Sequence, residues 1–435
     1  MHCFDKSVFT FEREEMKFMN KTTFVILAAG RGTRLWPVGD GLPKCMVRVL
    51  GKPLIEWTVE GIEKYADKIV IVVGYMKDFV IDHFKSKEYA DKIVFVEQKE
   101  QKGTGHAFLC AKNEVDDKFV TLYADNFYDP SFYKYLGEAI EKDGEKNYCF
   151  SYYVDDVRAY GQLNVQHGLF KGVKEKPKEK QGGQINLGAY YLSKDYFKHL
   201  EKVRLSPRGE YEATDALNTF IKDHDIQVVE YKGYRNEMTY WWNHLDINVY
   251  ALEHLMNHEV HGKVEPGAYI EGKVHIGKGT LVRAGTRIEG PAYIGEDCLI
   301  GPNAFIRPGS VVENRCHIGT SEIKNAVVMN DSNVPHFSFV GDSVLCEDVN
   351  LGAGTMLVNL RFDDENVKVK FKQERIDSGK RKLGCAIGHS TKVGGNVTLN
   401  CGVMIGHNCK IYPGTKVLKN LDNDTIYKGD DEETK

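Results

Sequence analysis

The sequence predicts two domains of different classes, an α/β domain over residues 21–250 and a parallel β-helix over residues 264–425. Two patterns carry this prediction. From Thr22 to about Tyr250, short β-branched runs alternate with segments of helical periodicity, which is typical of βαβ units and a mostly parallel, mixed sheet. After residue 263, aliphatic residues recur at every sixth position, which is the sequence signature of a β-helix.

Composition excludes several classes of protein. The 435 residues carry a net charge of -4, and no apolar run approaches the roughly 18 residues of a membrane span, so we expect neither a nucleic-acid nor a membrane partner. Ten cysteines occur singly, without a C-x-x-C pair, which indicates reduced thiols and a cytoplasmic protein. Residues 1–20 lack a signal-peptide core and are interpreted as an extension. Between the two domains we expect a linker helix at residues 251–263, and after the β-helix we expect a tail at residues 426–435.

A glycine-rich loop follows the first buried strand. Residues 27–35 read L-A-A-G-R-G-T-R-L, and a P-K pair follows at residues 43–44. Small side chains let backbone N–H groups approach phosphates, while Arg31, Arg34 and Lys44 supply positive charge. The segment lacks a G-x-x-x-x-G-K-[ST] motif and the third glycine of a dinucleotide fingerprint, so its composition alone predicts a generic phosphate-binding loop.

Two further segments end buried strands of the α/β pattern. Residues 98–107, Q-K-E-Q-K-G-T-G-H-A, leave one strand and open a helix, and Asp125 ends the strand of residues 119–124. Ligands bind outside the carboxyl ends of such strands, so these segments are candidate binding loops. A purely structural interpretation remains open, in which Thr104 caps its helix and Asp125 forms a turn.

The order and spacing of the motifs closely resemble the signature of the sugar-1-phosphate nucleotidylyltransferases. The matching motifs are the glycine-rich loop, its P-K pair, G-K-P-L-I-E at residues 51–56, Y-G at 160–161, E-K-P at 175–177 and N-x-G at 186–188. The resemblance implies a nucleotide site formed by Leu27, Ala28, Ala29, Gly30, Gly32, Thr33, Gln98, Gly103 and Thr104. It implies sugar and sugar-phosphate contacts from Gly161, Glu175, Lys176 and Asn186.

The same resemblance implies the reaction and its cofactor. A sugar 1-phosphate would attack the α-phosphorus of UTP or dTTP in line and release pyrophosphate, with Arg34 and Lys44 as catalytic cations. Asp125 and Asp246 would together hold Mg²⁺, which accepts few carboxylates and completes its shell with phosphate oxygens and water. The sequence leaves the base open between uracil and thymine, and it leaves the sugar open.

The hexad pattern defines the second domain. Its aliphatic positions run at intervals of six from Val264 to Ile318 and again from Ile387 to Val417. Each aliphatic residue is expected to point inward, and small residues turn the corners between faces. Residues 319–386 interrupt the register, and interruptions of a rigid solenoid are where function is commonly displayed.

The interruption contains P-H-x-x-x-V-G-D from residue 335 and N-L-G-A-G-T from residue 350. These motifs resemble the acetyltransferase half of the bifunctional enzymes that acetylate and uridylylate glucosamine 1-phosphate, particularly the archaeal-type N-acetylglucosamine-1-phosphate uridylyltransferases. The resemblance implies a left-handed β-helix, a homotrimer and acetyl-CoA as co-substrate. It assigns His336 as general base, and it implies substrate contacts from Arg307, Lys324, Asn350, Ala353 and Asn359. One departure is Phe339, where the family usually has tyrosine.

Three functions follow from these patterns. The first is a bifunctional enzyme that makes UDP-N-acetylglucosamine. The second is a nucleotidylyltransferase, acting on glucose 1-phosphate with UTP or dTTP, whose β-helix is structural. The third is a non-catalytic subunit that binds sugar nucleotides, which the joint presence of Arg34, Lys44, Asp125 and Asp246 disfavours.

Overall fold

The computed structural model describes residues 22–429 and the strand Glu433–Thr434. The extension predicted at residues 1–20 lies outside the described residues. The α/β domain is built on a mixed nine-stranded sheet, which agrees with the predicted class. In sheet order its strands are Ile93–Glu97, Lys68–Val73, Thr23–Leu27, Lys118–Tyr123, Gly183–Ser193, Asn147–Val154, Ile226–Glu230, Leu169–Glu175 and Gly161–Gln166.

The sheet is parallel on one side and mixed on the other. The first four strands in this order run parallel, with Thr23–Leu27 between Lys68–Val73 and Lys118–Tyr123. The strand Thr23–Leu27 is buried over its full length, as expected for a parallel strand covered on both faces. The carboxyl ends of these central strands therefore meet at one edge, where residues 27–35 and Asp125 begin their loops.

Helices cover both faces of the sheet. They are Leu54–Ile62, Lys77–Phe84, Thr104–Cys110, Ser131–Lys142, Tyr196–Leu200, Ala213–Phe220 and Trp241–His254. Two short ribbons accompany them, Arg48–Val49 with Lys52–Pro53 and Asn126–Tyr128 with Arg235–Glu237. The second ribbon brings residues from late in the domain beside Asp125.

The second domain is a parallel solenoid with three faces. Strands pair with strands 18 residues later, as Val282 does with Ile300 and Ile300 with Ile318, so one turn contains three hexads. The hexad side chains form one continuous buried core, which agrees with the predicted β-helix. The first face consists of Glu259–Val260, Val274–Ile276, Ala292–Ile294, Ser310–Val312, Val327–Val328, Val344–Leu345, Ala386–Ile387 and Met404–Ile405.

The second and third faces share two long strands. The second face consists of Lys263–Val264, Leu281–Val282, Leu299–Ile300, His317–Lys324, Asn333–Gly341, Asn350–Leu351, Lys392–Val393, Lys410–Ile411 and Ile426–Tyr427, the last paired with Glu433–Thr434. The third face consists of Tyr269–Glu271, Arg287–Glu289, Phe305–Ile306, Met356–Leu357, Thr398–Leu399 and Lys416–Val417, together with both long strands. His317–Lys324 and Asn333–Gly341 turn the corner between the two faces.

The interrupted register has two causes. The turns that contain the long strands are 16 or 17 residues long, since Ile318 pairs with Val334 and Ile323 with Val340. Farther on, the chain leaves the solenoid and forms an antiparallel hairpin, Lys368–Phe371 with Glu374–Asp377. This hairpin, called the 368–377 hairpin below, reaches back to the α/β domain.

An apolar seam joins the two domains. The first face of the solenoid contributes Val311, Val327, Val344 and Met404, which pack in one cluster with Leu35, Val47, Trp241 and Leu245 of the α/β domain. The connecting helix is Trp241–His254, so most of the expected linker helix at 251–263 is not helical. Trp241, Trp242 and Leu245 start the helix earlier because they are buried in this seam. The expected tail at 426–435 likewise begins with the paired strand Ile426–Tyr427.

Among residues 22–429, no helix combines the length and apolar character needed to cross a membrane.

Candidate functional site

Two adjoining cavities open at the carboxyl ends of the central strands. The loop cavity, of about 460 Å³, is lined by residues 27–34 and by Lys44, Gln98, Gly103 and Thr104. The sheet-end cavity, of about 480 Å³, is lined by Gly161, Glu175, Lys176 and Asn186. Arg34, Thr104, Tyr123, Asp125 and Glu210 line both, so the two form one continuous site. The structure thus brings together all the residues predicted for nucleotide and sugar-phosphate binding.

The glycine-rich loop is held in a conformation that requires small residues. Gly32 has a φ of 65°, and a Cβ there would lie 2.7 Å from Lys44 Cβ, so only glycine fits beside the lysine. The loop is anchored by Ala28 N–H, which donates to Val72 O, and by Gln101 Nε2, which donates to Ala29 O. Gly30 is exposed at the loop's crest, where a ligand can approach the backbone.

Lys44 and Asp125 form the charged centre of the site. Lys44 is 9% exposed, and its Nζ lies 2.6 Å from Asp125 Oδ2. The pair spans the junction between the glycine-rich loop and the strand Lys118–Tyr123. Arg34 is exposed and faces both cavities, as does Glu210, so the junction carries two cations, Arg34 and Lys44, and two carboxylates, Asp125 and Glu210.

The loop after the strand Ile93–Glu97 packs closely against Tyr211. Gly103 has a φ of 97°, and a Cβ there would lie 2.8 Å from Tyr211 O. Gln98 Nε2 lies 3.0 Å from Gly103 O and 3.1 Å from His106 Nδ1, so the amide carbonyl remains to accept a hydrogen bond from a base. Thr104 does not cap its helix, which starts after Gly103; its Oγ1 accepts a hydrogen bond from Ala213 N–H.

The sheet-end cavity has the donors and acceptors that a sugar requires. Gly161 and Glu175 face each other across antiparallel strands, and burial raises the pKa of the Glu175 carboxyl. Lys176 follows directly with a φ of 45°. Asn186 Oδ1 accepts a hydrogen bond from Gly188 N–H at 2.9 Å, and its side chain lines the cavity.

Asp246 lies outside both cavities. It falls in the second turn of the helix Trp241–His254, and its carboxylate pairs with Lys380, just after the 368–377 hairpin. The described residues therefore do not arrange Asp125 and Asp246 as joint metal ligands. Tyr240 and Asn243 at the start of this helix line the sheet-end cavity, whereas Asp246 in the next turn pairs with Lys380 of the second domain.

A second acid lines the same cavity as Asp125. Glu237 lines the sheet-end cavity, and the adjacent Met238 N–H donates to Asp125 O at 2.9 Å. Thr239 Oγ1 donates to Glu237 Oε1 at 2.8 Å. No sequence motif marks Glu237, because it reaches the site through the short ribbon with Asn126–Tyr128.

Sequence reasoning also missed a basic and acidic turn at the site. Arg208, Glu210 and Glu212 line the sheet-end cavity, and Arg208 Nη2 lies 2.8 Å from Glu212 Oε1. Gly209, with a φ of 77°, forms the turn between them. The signal available in the sequence was S-P-R-G-E at residues 206–210, a turn sequence that precedes a helix. It indicates a loop at the same edge of the sheet as the other binding loops.

The residues predicted for acetyl transfer lie on the solenoid, around the two long strands. His336 is exposed in Asn333–Gly341, and its carbonyl accepts a hydrogen bond from Gly354 N–H, next to Ala353. The pKa of His317 on the preceding turn is lowered by burial and by the neighbouring His336. Asn350 lies on the second face, where its strand pairs with Asn333.

Buried Asp342 connects two of the residues predicted for acetyl transfer. Its carboxylate accepts hydrogen bonds from Lys324, Asn325 and Asn359. Arg307 lies one turn earlier, where its Nη1 is 2.7 Å from Glu322 Oε1. Lys324 and Asn359 are thus brought together, whereas Arg307 is held by a separate acid.

Phe339 lies in the same group. Its ring and the Asn359 amide both contact Gly341. The tyrosine hydroxyl that the family usually places at this position is absent.

Comparison with known proteins agrees with this two-domain arrangement. Residues 23–243 match the nucleotidyl transferase family model, and residues 288–374 match the GMPPB C-terminal domain model. A bifunctional sugar-1-phosphate nucleotidylyltransferase/acetyltransferase from Sulfurisphaera tokodaii is 42% identical over 411 residues, which cover 93% of this chain and 99% of that protein. The chain belongs to this bifunctional family.

Other relatives match either the whole chain or its first domain. The bifunctional protein GlmU of Methanocaldococcus jannaschii, of the same family, is 36% identical over 414 residues, covering 94% of this chain and 98% of the relative. The UTP–glucose-1-phosphate uridylyltransferase AglF of Haloferax volcanii is 31% identical over 224 residues, covering 50% of this chain and 90% of AglF. The family match therefore extends over both domains of the chain.

Proposed function

We propose that the chain is a bifunctional transferase that makes a nucleotide sugar in two steps. The α/β domain transfers a nucleoside monophosphate from UTP or dTTP to a sugar 1-phosphate and releases pyrophosphate. The β-helix acetylates glucosamine 1-phosphate with acetyl-CoA, so that the final product is UDP-N-acetylglucosamine. The observation that carries the first activity is the continuous site in which Arg34 and Asp125 border both cavities.

The site is suited to joining two anions. The attacking phosphate and the triphosphate repel each other, and positioned cations cancel that repulsion without reorganising. Arg34 at the junction faces both ligands, Lys176 faces the sugar phosphate, and Lys44 is fixed by Asp125 at 2.6 Å. Glu175 and Asn186 are placed to hold the sugar hydroxyls. No covalent nucleophile is required, because pyrophosphate is a good leaving group.

The donor set at the junction fits one Mg²⁺ ion. Asp125 and Glu237 line the sheet-end cavity, and two carboxylates match a cation that takes its other ligands from phosphate and water. We propose this pair in place of Asp125 with Asp246. When bound, the ion would neutralise triphosphate charge beside the leaving pyrophosphate.

The base preference follows from Gln98. Its Nε2 is already engaged by Gly103 O and His106, which leaves the carbonyl as an acceptor. Uracil and thymine each present an imide N–H, which this acceptor can bind. A Cβ at Gly103 would fill the space beside Tyr211. This arrangement supports UTP or dTTP equally.

The second activity is assigned to the exposed His336. An imidazole on the surface can take the proton of an attacking amine and pass it to water. Lys324, held by Asp342, supplies a cation for the sugar phosphate, and Asn350, Ala353 and Asn359 complete the site with Arg307 one turn away.

Acetyl-CoA has a candidate cavity on the third face. This cavity, of about 850 Å³, lies beside Val358 and Leu360 and is lined by six cationic side chains: Arg361, Lys368, Lys370, Arg375, Lys416 and Lys419. Such a lining suits the phosphates of acetyl-CoA.

We further propose a homotrimer of left-handed β-helices in the cytoplasm. Phe337 is 70% exposed with a φ of 48°, and Phe362 is fully exposed, both near the acetyl-transfer residues. Exposed aromatic side chains are suited to contact with a second copy of the chain. The cytoplasmic location is supported by the free thiols of the nine described cysteines.

One observation favours a narrower function. Phe339 replaces the usual tyrosine, so a chain with nucleotidyl transfer alone and a structural β-helix is the second candidate.

Two parallel assays test the proposal. In the first, the protein with Mg²⁺ is given each of UTP, dTTP and GTP with each of glucose, glucosamine and N-acetylglucosamine 1-phosphates, and pyrophosphate is measured. In the second, free thiol is followed from acetyl-CoA and glucosamine 1-phosphate. Pyrophosphate from no pair would refute the first activity, and absence of thiol would leave only the narrower function.

A pair of histidine variants assigns the second activity. His336→Ala is expected to abolish thiol release and to leave pyrophosphate release unchanged. His317→Ala, on the preceding turn, is the matched control and should retain both activities. Loss of both activities in His336→Ala would show that the residue is structural.

A further inference from the structure

A third cavity lies between the glycine-rich loop and the 368–377 hairpin. This seam cavity has a volume of about 600 Å³, within the range of small-molecule sites. Arg31, Gly32 and Thr33 form one wall, and Lys370, Phe371 and Lys372 form the opposite wall. It is therefore built from both domains, and of its three hairpin residues only Lys370 also lines the cavity proposed for acetyl-CoA.

The charge of the seam cavity favours an anion. Arg31, Lys370, Lys372 and Lys419 line it, against the two acids Asp40 and Asp422. Asp40 is already engaged, because His407 Nδ1 lies 2.7 Å and Asn423 Nδ2 lies 2.8 Å from its Oδ2. The lining therefore carries four cationic side chains against two carboxylates.

The cavity also presents aromatic surface. Trp36, Tyr75 and Phe371 line it, and Trp36 is oriented by a 3.2 Å hydrogen bond from its Nε1 to Asn423 Oδ1. Arg31 lies over the Tyr75 ring, with 5.0 Å from its Cζ to the ring centroid. Aromatic faces beside guanidinium and ammonium groups are what a base joined to phosphates requires.

We propose that the seam cavity is a second, non-catalytic binding site for a nucleoside diphosphate. The chemistry that it recognises is a planar base with two adjacent phosphates, whether free or as part of a nucleotide sugar. The ligand would contact residues 31–33, the same residues that line the loop cavity. Its binding is therefore coupled to the catalytic nucleotide through one shared segment.

The hairpin provides a second connection to the catalytic site. The Phe371 ring lies edge-on to Tyr240, with 6.5 Å between ring centroids, and Tyr240 lines the sheet-end cavity. Lys380, just beyond the hairpin, pairs with Asp246 of the same helix. A ligand that fixes the hairpin thus acts on the helix whose first turn borders the sugar site.

The binding test counts UDP sites on the full-length protein by isothermal titration. The variant Lys370→Glu/Lys372→Glu reverses two charges on the hairpin, and Lys382→Glu/Lys410→Glu reverses two exposed lysines that do not line the seam cavity. We expect the hairpin variant to bind one UDP fewer per chain than the wild type, and the control variant to bind the same number. If the hairpin variant bound as many UDP molecules per chain as the wild type, the proposal would be overturned.

The count separates this proposal from the proposed catalytic function. If the loop cavity did not bind nucleotide, the wild type would bind one UDP and the hairpin variant none, and the seam site would stand alone. The coupling between the seam cavity and the catalytic nucleotide site rests on the proposed function, and it is measured separately by inhibition kinetics. In the wild type, UDP is expected to lower both kcat and kcat/KM for pyrophosphate release. In the hairpin variant, UDP is expected to act only as a competitor of UTP, which lowers kcat/KM and leaves kcat unchanged.

A milder variant and three further probes, pyrophosphate, ADP and UDP-N-acetylglucosamine, test the ligand class. Phe371→Leu keeps an apolar side chain at the seam and removes the ring. It is expected to weaken UDP binding at the seam at least tenfold and to leave pyrophosphate binding there unchanged, because pyrophosphate has no base. ADP and UDP-N-acetylglucosamine distinguish a general base contact from recognition of the product. If Phe371→Leu weakened the binding of pyrophosphate and of UDP at the seam cavity by the same factor, the assignment of a base-binding face would be overturned.

Discussion

Glu313 is expected to make the stability of the protein depend on pH through the domain seam. Its side chain is 1% exposed on the first face of the solenoid, and Arg48 of the α/β domain lies 3.2 Å from its Oε2. Arg48 also pairs with Glu347 at 2.6 Å. Burial raises the pKa of Glu313 to about 7, although Arg48 acts in the opposite direction.

The size of the effect follows from that shift. A carboxyl whose pKa rises from 4.5 to about 7 on folding contributes stability that is complete below pH 4.5 and is lost as the pH rises through 7. At 1.36 kcal/mol per unit, the loss is about 3 kcal/mol. For a cooperative unit of this length, about 3 kcal/mol corresponds to about 3 °C in the midpoint of thermal unfolding.

The substitution Glu313→Gln removes the titrating group and keeps its shape. We expect the variant and the wild type to unfold at similar temperatures at pH 5, and the variant to be more stable by about 3 °C at pH 8. Scanning calorimetry at four pH values between 5 and 8 measures this. Glu347→Gln is the matched control, because it pairs with the same Arg48 from a more exposed position. A difference between Glu313→Gln and the wild type that is the same at every pH would refute the reasoning.

Three further variants test the catalytic sites. Gly103→Ala forces a side chain to a φ of 97° against Tyr211 O, so we expect it to lower the free energy of unfolding by about 2 kcal/mol in denaturant titrations and to raise the KM for UTP. Asp125→Asn should reduce pyrophosphate release by about 10²-fold to 10³-fold, whereas Asp246→Asn should leave its rate near that of the wild type; equal losses would restore Asp246 to the metal site. Phe339→Tyr should raise the rate of acetyl transfer by about fivefold in the thiol assay, the factor given by a hydrogen bond of about 1 kcal/mol, and an unchanged rate would show that the hydroxyl has no substrate contact.

The parts of the fold that depend on local periodicity could be predicted. The hexad residues from Val264 to Ile318 point into one core, because the interval of six matches one face of the solenoid. The strand Thr23–Leu27 was readable from its β-branched run, and its loop from the glycines that follow. The loops at the carboxyl ends of parallel strands then had to share one edge, and this brought Gly103 and Asp125 together.

The parts that depend on distant pairing could not be predicted. Glu237 reaches the site through a two-strand ribbon with Asn126–Tyr128, more than 100 residues earlier in the chain. Asp342 gathers Lys324 and Asn359, which lie 18 and 17 residues from it on the adjacent turns of the solenoid. No spacing in the sequence distinguishes Glu237 or Asp342 from an ordinary surface acid.

The position of Asp246 shows how the two domains constrain each other. The family resemblance assigned Asp246, together with Asp125, to a divalent metal ion. In the structure the buried Trp241 and Trp242 fix the start of the helix at the seam, and the following turn then presents Asp246 to Lys380. In the structure this acid joins the two domains through Lys380. Because the 368–377 hairpin ends only three residues before Lys380, the same contact also holds one wall of the seam cavity beside the catalytic loop.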